Sequence, residues 1–466
     1  MKVEYMMTTI RNFVIAICIL VCILVSSTSG AVPGNEPAPD PGGVDPADPV
    51  RIDDTSPFHA IHEARENLSR GVADDIGRRE YLTDTCIIPG DVKAFVCTDF
   101  ATMEDYIINA TCEATGEHCY VFVEEGLNVV ESEIQNLAKT FDRVIHPTVT
   151  GTFGNETDTD GDPRIFILLL DIPEASHNSA TDLSVAGYFD GRTANNLDII
   201  FLDADARDSE MRSTLAHEFQ HLIHHSHDPH ERTWVDEGCS EYAEFLCFDN
   251  KNRAKVRAFN RHPSTSLVVT DAEWDRSEGE INQAHYGASF LWILYLAENF
   301  GDRSGDPDKG SFLKDLVADN RTGLRGIDAT LALHGFPVSS EDVFKRWVVA
   351  NYLDVGGNSP PRGYDGIDLT RYPQVAGRVD LTRQAGLVHS FPEMELQPWS
   401  AAYYEVRTGE PDAVSYANDQ GFWMEKVVNR DGEAVIVVSP LRDRGAFVLT
   451  VSERRNNLTA VGSAVS

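Results

Sequence analysis

The sequence predicts an α+β protein whose central part folds in two lobes, with a β-rich region before it and an antiparallel β domain after it. Three observations lead there. Apolar runs of strand character, with one helical segment among them, fill residues 120–202. Helical spacing takes over from residue 209 to residue 354, and alternating apolar and polar residues return from about residue 381. A hydrophobic period that moves from two residues to about 3.6 and back marks strands, then helices, then strands. Hydrophobic residues make up 42% of the 466, enough for a packed core.

In chain order, residues 13–25 form an uncharged run behind Lys2 and Arg11. The run is too short to span a bilayer and has the length of a signal-peptide core. Ser29-Gly30-Ala31 offers a cleavage site, so residues 1–31 are read as a signal peptide, with an uncleaved anchor as the alternative. Either places the remainder outside the cytoplasm, and no second apolar run is long enough to cross a membrane. Residues 32–56, rich in Pro, Gly and Asp, read as a disordered linker. Residues 57–117 read as a β-rich region or pro-segment. In an extracellular setting Cys86, Cys97, Cys112 and Cys119 are expected to form two disulfides, with three pairings open. Cys239 and Cys247 lie in one expected helix, about 12 Å apart along its axis. They cannot bridge each other and are read as buried thiols.

The central unit covers residues 118–356. Residues 120–124 and 164–170 are expected strands, and between them Val130, Ile134, Leu137 and Phe141 recur at helical spacing over 129–144. Residues 186–189 and 198–202 are two more strands. Helices are expected over 209–224, 235–248 and 287–300, the last closed by Gly301, and over a broken stretch from 312 to 354. The tail, residues 372–466, carries strands at 401–406, 433–438 and 446–451. Lys and Arg total 39 against 74 Asp and Glu, a net charge of −35. Nucleic-acid binding is thereby excluded as a leading function, because phosphate contacts need clustered cations.

The chemistry concentrates at His217-Glu218-Phe219-Gln220-His221. Histidines at i and i+4 share one helix face and can reach one cation, and neutral imidazole suits Zn2+. Glu218 projects beside such a metal and can take a proton from a water activated there. Glu237 follows 16 residues after His221, room for a turn and a returning helix, and offers a third ligand. Glu241 is one turn further on the same face and can hydrogen-bond a ligating imidazole. The bland alternative is that Glu237, Glu241 and Glu244 form a solvated acidic stripe. His227 stands where a related pattern carries a third histidine, but that pattern needs a Gly at the place of His224 and a nearby methionine turn. No methionine occurs between Met211 and Met394, so His224, His225, His227 and His230 are read as loop residues. Asp158, Asp160 and Asp162 flank Gly161 and are read either as a Ca2+ site or as a solvated acidic turn.

His217-Glu218-Phe219-Gln220-His221 followed by Trp234-Val235-Asp236-Glu237-Gly238-Cys239-Ser240-Glu241 resembles the gluzincin metallopeptidases, the thermolysin and aminopeptidase clan. Asp160-Gly161-Asp162 before the strand at 164–170, Ala186-Gly187-Tyr188-Phe189 and the segment from Trp347 to Leu353 extend the likeness. They make it similar to the hyicolysin family of secreted neutral metalloendopeptidases, over about residues 118–356. The resemblance implies a two-lobed zincin domain holding one catalytic Zn2+ on His217, His221 and Glu237. It implies Glu218 as general base, Glu241 beside the ligands, and Tyr286 of His285-Tyr286-Gly287-Ala288 as oxyanion stabiliser. Protein or peptide substrates would lie along the strand near 187–189. The aminopeptidase mark G-x-M-E-N is missing before the motif, which favours internal cleavage. The alternative is a zinc-binding, catalytically degenerate adhesion or binding protein of the cell surface, against which an intact Glu218 argues.

Overall fold

The computed structural model describes residues 51–52 and, with short interruptions, residues 87–453. The expected leader, the linker apart from Arg51–Ile52, and all of residues 57–86, Cys86 among them, lie outside the described residues. The chain is of mixed α+β architecture, and its first half is built on one six-stranded sheet. Its strands are β2 (Val92–Asp99), β3 (Glu104–Thr115), β4 (Cys119–Glu124), β5 (Ile165–Leu170), β7 (Gly187–Phe189) and β8 (Ile199–Asp203), in the order β2-β3-β4-β5-β8-β7. β4, β5 and β8 run parallel, and β7 closes one edge antiparallel to β8. The Ile-Phe-Ile-Leu-Leu-Leu run of β5 is buried along its whole length, as a strand covered on both faces requires. Two further two-residue strands, β1 (Arg51–Ile52) and β6 (Ser184–Val185), pair with each other in parallel.

The two faces of this sheet carry different chemistry because side chains alternate. Val121, Val123, Ile167, Leu169, Ile200 and Leu202 face the helices and join the main core. Phe95, Tyr120, Phe122, Phe166, Tyr188 and Phe201 form a smaller aromatic core on the other face. There Tyr188 stacks on Phe201 at 4.3 Å and Phe95 meets Phe122 edge-on at 5.0 Å.

The alternation also decides the cysteines. Cys97 and Cys112 face the aromatic side and Cys119 the helical side, and all three are free, buried thiols. Cys97 pairs with Tyr106 across the ladder, so Cys112 lies six residues, about 20 Å, further along. A disulfide needs Cα atoms within about 7 Å. The expectation of two disulfides among Cys86, Cys97, Cys112 and Cys119 is corrected accordingly, since every pairing needs a bond among the latter three. Cys239 is buried as expected, whereas Cys247 is only half-buried.

On the helical face lie α1 (Glu131–Thr140), a wide turn at Phe141–Ile145, α2 (His146–Phe153) and α3 (Asp208–His227). The second half is helical: α4 (Thr233–Phe248), α5 (Arg253–Arg261), α6 (Gly279–Phe300), α7 (Phe312–Val317), α8 (Leu324–Leu333) and α9 (Ser340–Leu353). α6 is apolar on nearly every side and runs through the core, the pattern of a buried helix. α9 starts on a capping box formed by Ser339 and Asp342. Two glycines set the spacing around α6. A Cβ on Gly238 would stand 2.8 Å from the Ser289 carbonyl oxygen, and one on Gly287 would stand 2.2 Å from that of Lys255. Among the described residues no helix is long and apolar enough to cross a membrane.

The tail forms a four-stranded sheet, β14 (Phe422–Val428), β15 (Ala434–Pro440), β12 (Ala402–Arg407) and β9 (Gly377–Asp380), with smaller sheets over it. Alternation again splits it: Tyr403, Val427, Val435 and Val437 join the main core, while Tyr404, Val406, Ile436 and Val438 form a third core with Phe391, Phe447 and Val451. One expectation needs correction, because β9 and β12 pair in parallel. The chain between them visits the overlying sheets through β10 (Val388–Ser390) and β11 (Met394–Leu396), so it re-enters in the same direction. Tyr403 Oη donates to the Val348 carbonyl at 2.8 Å, and Tyr352 Oη to Glu405 at 2.8 Å, which ties this sheet to α9.

Gly287→Ala tests the close approach of α5 to α6. Helix propensity alone would favour alanine by about 1 kcal/mol, but overpacking against backbone costs about 1–3 kcal/mol. Thermal unfolding of this variant is expected to show net destabilisation.

Candidate metal centre

Two antiparallel helices build the site. On α3, Ser213, His217 and His221 stand at successive intervals of four and share a face. On α4, Glu237, Glu241 and Glu244 follow at intervals of four and three and also share a face, and Gly238 lets α4 press close to α6 behind them. The alternative of a solvated acidic stripe is not what the structure holds: the three glutamates are at most 2% exposed.

His217 Nε2 lies 3.3 Å, and His221 Nε2 3.6 Å, from the same Glu237 oxygen, Oε2. The three residues each offer a ligand atom within 4.8 Å of the others. Neither Nε2 atom nor either Glu237 oxygen makes a hydrogen bond. A buried polar atom left unpaired costs about 1–3 kcal/mol. Four such atoms converging on one point, two imidazole and two carboxylate in kind, fit a divalent cation that accepts nitrogen and oxygen ligands.

The outer nitrogens are held by carboxylates. His217 Nδ1 is hydrogen-bonded to Glu244 Oε1 at 3.0 Å. Asp236 places Oδ2 3.0 Å from His221 Nδ1 and Oδ1 2.8 Å from His224 Nδ1. A carboxylate at Nδ1 favours the proton there and leaves Nε2 as the free lone pair. Glu241 was expected to orient an imidazole, but its oxygen stands 3.9 Å from His217 Nδ1 and is engaged by Lys255. Asp236 and Glu244 are the carboxylates nearest the outer nitrogens of His221 and His217. Their signals were adjacency to Glu237 and a place seven residues after it on the same helix. His224, read from sequence as a loop residue, is buried within α3.

Burial disfavours the charged form of every group here, and mutual attraction overrides it for most. His217 is raised well above the usual histidine range by Glu237 and Glu244, and His221 to about 10 chiefly by Asp236 and Glu237. Glu237 is held down to about 2 by the two histidines. Glu241 is the exception: burial, aided by Glu244, lifts it to about 8, offset only in part by Lys255. The pocket between α3 and α4 thus holds positive charge strongly.

The remaining sequence candidates fall elsewhere. Tyr286 is fully buried on α6, edge-on to Trp274 at 5.0 Å, with Lys255 Nζ 4.9 Å from its ring centre. Asp158 and Asp160 come together with Asp198, not with Asp162. Asp162 instead accepts from Tyr120 Oη at 2.7 Å. His227 Nε2 bonds the Asn155 carbonyl at 2.9 Å.

Glu244→Gln and Asp236→Asn are expected to weaken zinc binding about 10–100-fold each. Glu241→Gln should cost less than Glu244→Gln, because Glu244 is the closer partner. Equilibrium competition with a chromophoric chelator measures all three.

Residues 181–247, which run from just before β7 through most of α4, match the family model described as the IrrE N-terminal-like domain, a peptidase family. A neutral metalloprotease of Staphylococcus hyicus, ShpI, is 22% identical over 272 residues. That match takes in 54% of this chain and 60% of the relative's length. In motif, ligand geometry and these two likenesses, the chain resembles the zinc metallopeptidases of the hyicolysin kind.

Proposed function

We propose that the chain is a secreted zinc-dependent endopeptidase. The observation that carries this reading is the convergence of His217 Nε2, His221 Nε2 and the Glu237 carboxylate, all buried and without hydrogen bonds. These three residues would hold the zinc. When bound, zinc supplies Lewis acidity, polarising a peptide carbonyl and making a water acidic enough to lose its proton near neutral pH.

The protein residues do the rest. Glu218, on α3 beside His217, takes the proton of the attacking water and returns it to the leaving amine. Tyr286, on the helix that packs against α4, offers a phenol to the oxygen that gains charge. An extended peptide pairs with β7, the edge strand of the sheet. β7 rests on the site helix: a Cβ on Gly187 would stand 2.6 Å from Thr214 Cγ2, three residues before His217. Internal cleavage fits a peptide laid along a strand.

Cleavage of casein or a quenched peptide by the chain without residues 1–31 should be abolished by 1,10-phenanthroline. Glu218→Gln should lose turnover while retaining about one zinc per chain. Cleavage that survives in this variant overturns the mechanism, and zinc binding with no cleavage by the parent supports the binding-protein alternative. Tyr286→Phe should lower kcat about 10²-fold with zinc content unchanged; an unchanged rate removes Tyr286 from the mechanism.

A further inference from the structure

Two carboxylates of α4 compete for His217 Nδ1, with Glu244 at 3.0 Å and Glu241 at 3.9 Å. We propose that the turn joining α4 to α5 decides between them. Asn250, together with Ser213 of α3, clamps Glu244 as the partner of His217, while Lys255 draws Glu241 away. The three are positioning residues, and the inference rests on the reading of His217 as a metal ligand.

The clamp is visible atom by atom. Glu244 Oε1 takes the His217 contact, and Oε2 accepts from Ser213 Oγ at 2.5 Å and from Asn250 Nδ2. Asn250 Nδ2 also reaches Ser213 Oγ at 3.2 Å. Three donors on one buried carboxylate fix its rotamer.

The orientation of the Asn250 amide follows from its other end. Asn250 Oδ1 accepts from the Asn252 backbone N–H at 3.1 Å, so the NH2 group is the end left for Glu244. The turn that delivers it is unusual. Asp249 and Asn252 both adopt left-handed backbone conformations, φ 54° and 46°. Such conformations are uncommon outside glycine and are tolerated best by Asn and Asp. Asn252 Nδ2 then ties the turn to the Glu241 carbonyl at 3.3 Å.

Lys255 completes the sorting. It is 9% exposed, bonds Glu241 Oε1, and is anchored where its carbonyl meets Gly287 of α6. A charged partner on Glu241 leaves that carboxylate committed away from His217, and Glu244 remains the acceptor. The loop after α4 is therefore part of the centre, although it carries no ligand.

The test uses the full chain without residues 1–31. Zinc affinity is measured by chelator competition at equilibrium, and ligand geometry by the visible d–d absorption of bound Co2+. Asn250→Asp keeps the size of the side chain but sets an acceptor against Glu244. It is expected to lower zinc affinity about tenfold or more and to alter the Co2+ spectrum. Ser213→Ala should lower affinity in the same direction, and Ser213→Thr, which keeps the hydroxyl, should restore it. This second pair decides the matter if Asn250→Asp does not fold. Affinities of folded Ser213→Ala and Asn250→Asp within twofold of the parent, with an unchanged spectrum, overturn the clamp while leaving the metal centre standing. A parent chain that binds neither Zn2+ nor Co2+ overturns the metal centre itself, and the clamp with it.

Discussion

The constraint on which the rest depends is the burial of five carboxylates, those of Glu218, Asp236, Glu237, Glu241 and Glu244, between and beside two helices. Carboxylates taken out of water are tolerated only when paired and hydrogen-bonded. The surrounding structure supplies that pairing for Asp236, Glu241 and Glu244, through His217, His221 and His224 of α3, Lys255 of α5, and Ser213 and Asn250 at the rim, whereas Glu237 has His217 and His221 beside it but no hydrogen bond. The close approach of α4 and α5 to α6, enforced at Gly238 and Gly287, holds these partners in register.

The elements that carry chemistry were legible because their spacing is local. His217, Glu218 and His221 announce a shared face within one helix. Glu237 is close enough in sequence for a single returning helix to bring it back. What could not be read was the rotational choice along α4. Glu241 and Glu244 both lie one or two turns beyond Glu237, and the selection between them rests on Asn250 and Lys255, which act through a turn whose left-handed residues leave no periodic signal. His224 was obscured for a related reason. It sits in a histidine-rich stretch that looks like a loop, yet α3 continues to His227 and buries it.

Long-range features were the least legible. The order of apolar runs gave β4, β5, β7 and β8 within a residue or two, since each run is short and bounded by turn residues, whereas β2 and β3 were foreseen only as part of a β-rich region. Whether Cys97, Cys112 and Cys119 meet depends on which face of a strand each occupies and on the register of β2 against β3, and a run of alternating residues does not announce either. The parallel pairing of β9 with β12 likewise follows from a path through overlying strands. The tail is also less separate than its composition suggests. Tyr403 and Val437 are part of the main core, and Tyr352 of α9 hydrogen-bonds Glu405, so the helical half and the final sheet stabilise one another.

His217 and Glu237 are 0% exposed and His221 is 2% exposed, and this has a kinetic consequence. The packing of α3 on α4 sets the donor atoms in place before any ion arrives, so an ion that binds them need not order them first. Its departure leaves four buried atoms without hydrogen bonds again, and that penalty slows the loss of the ion.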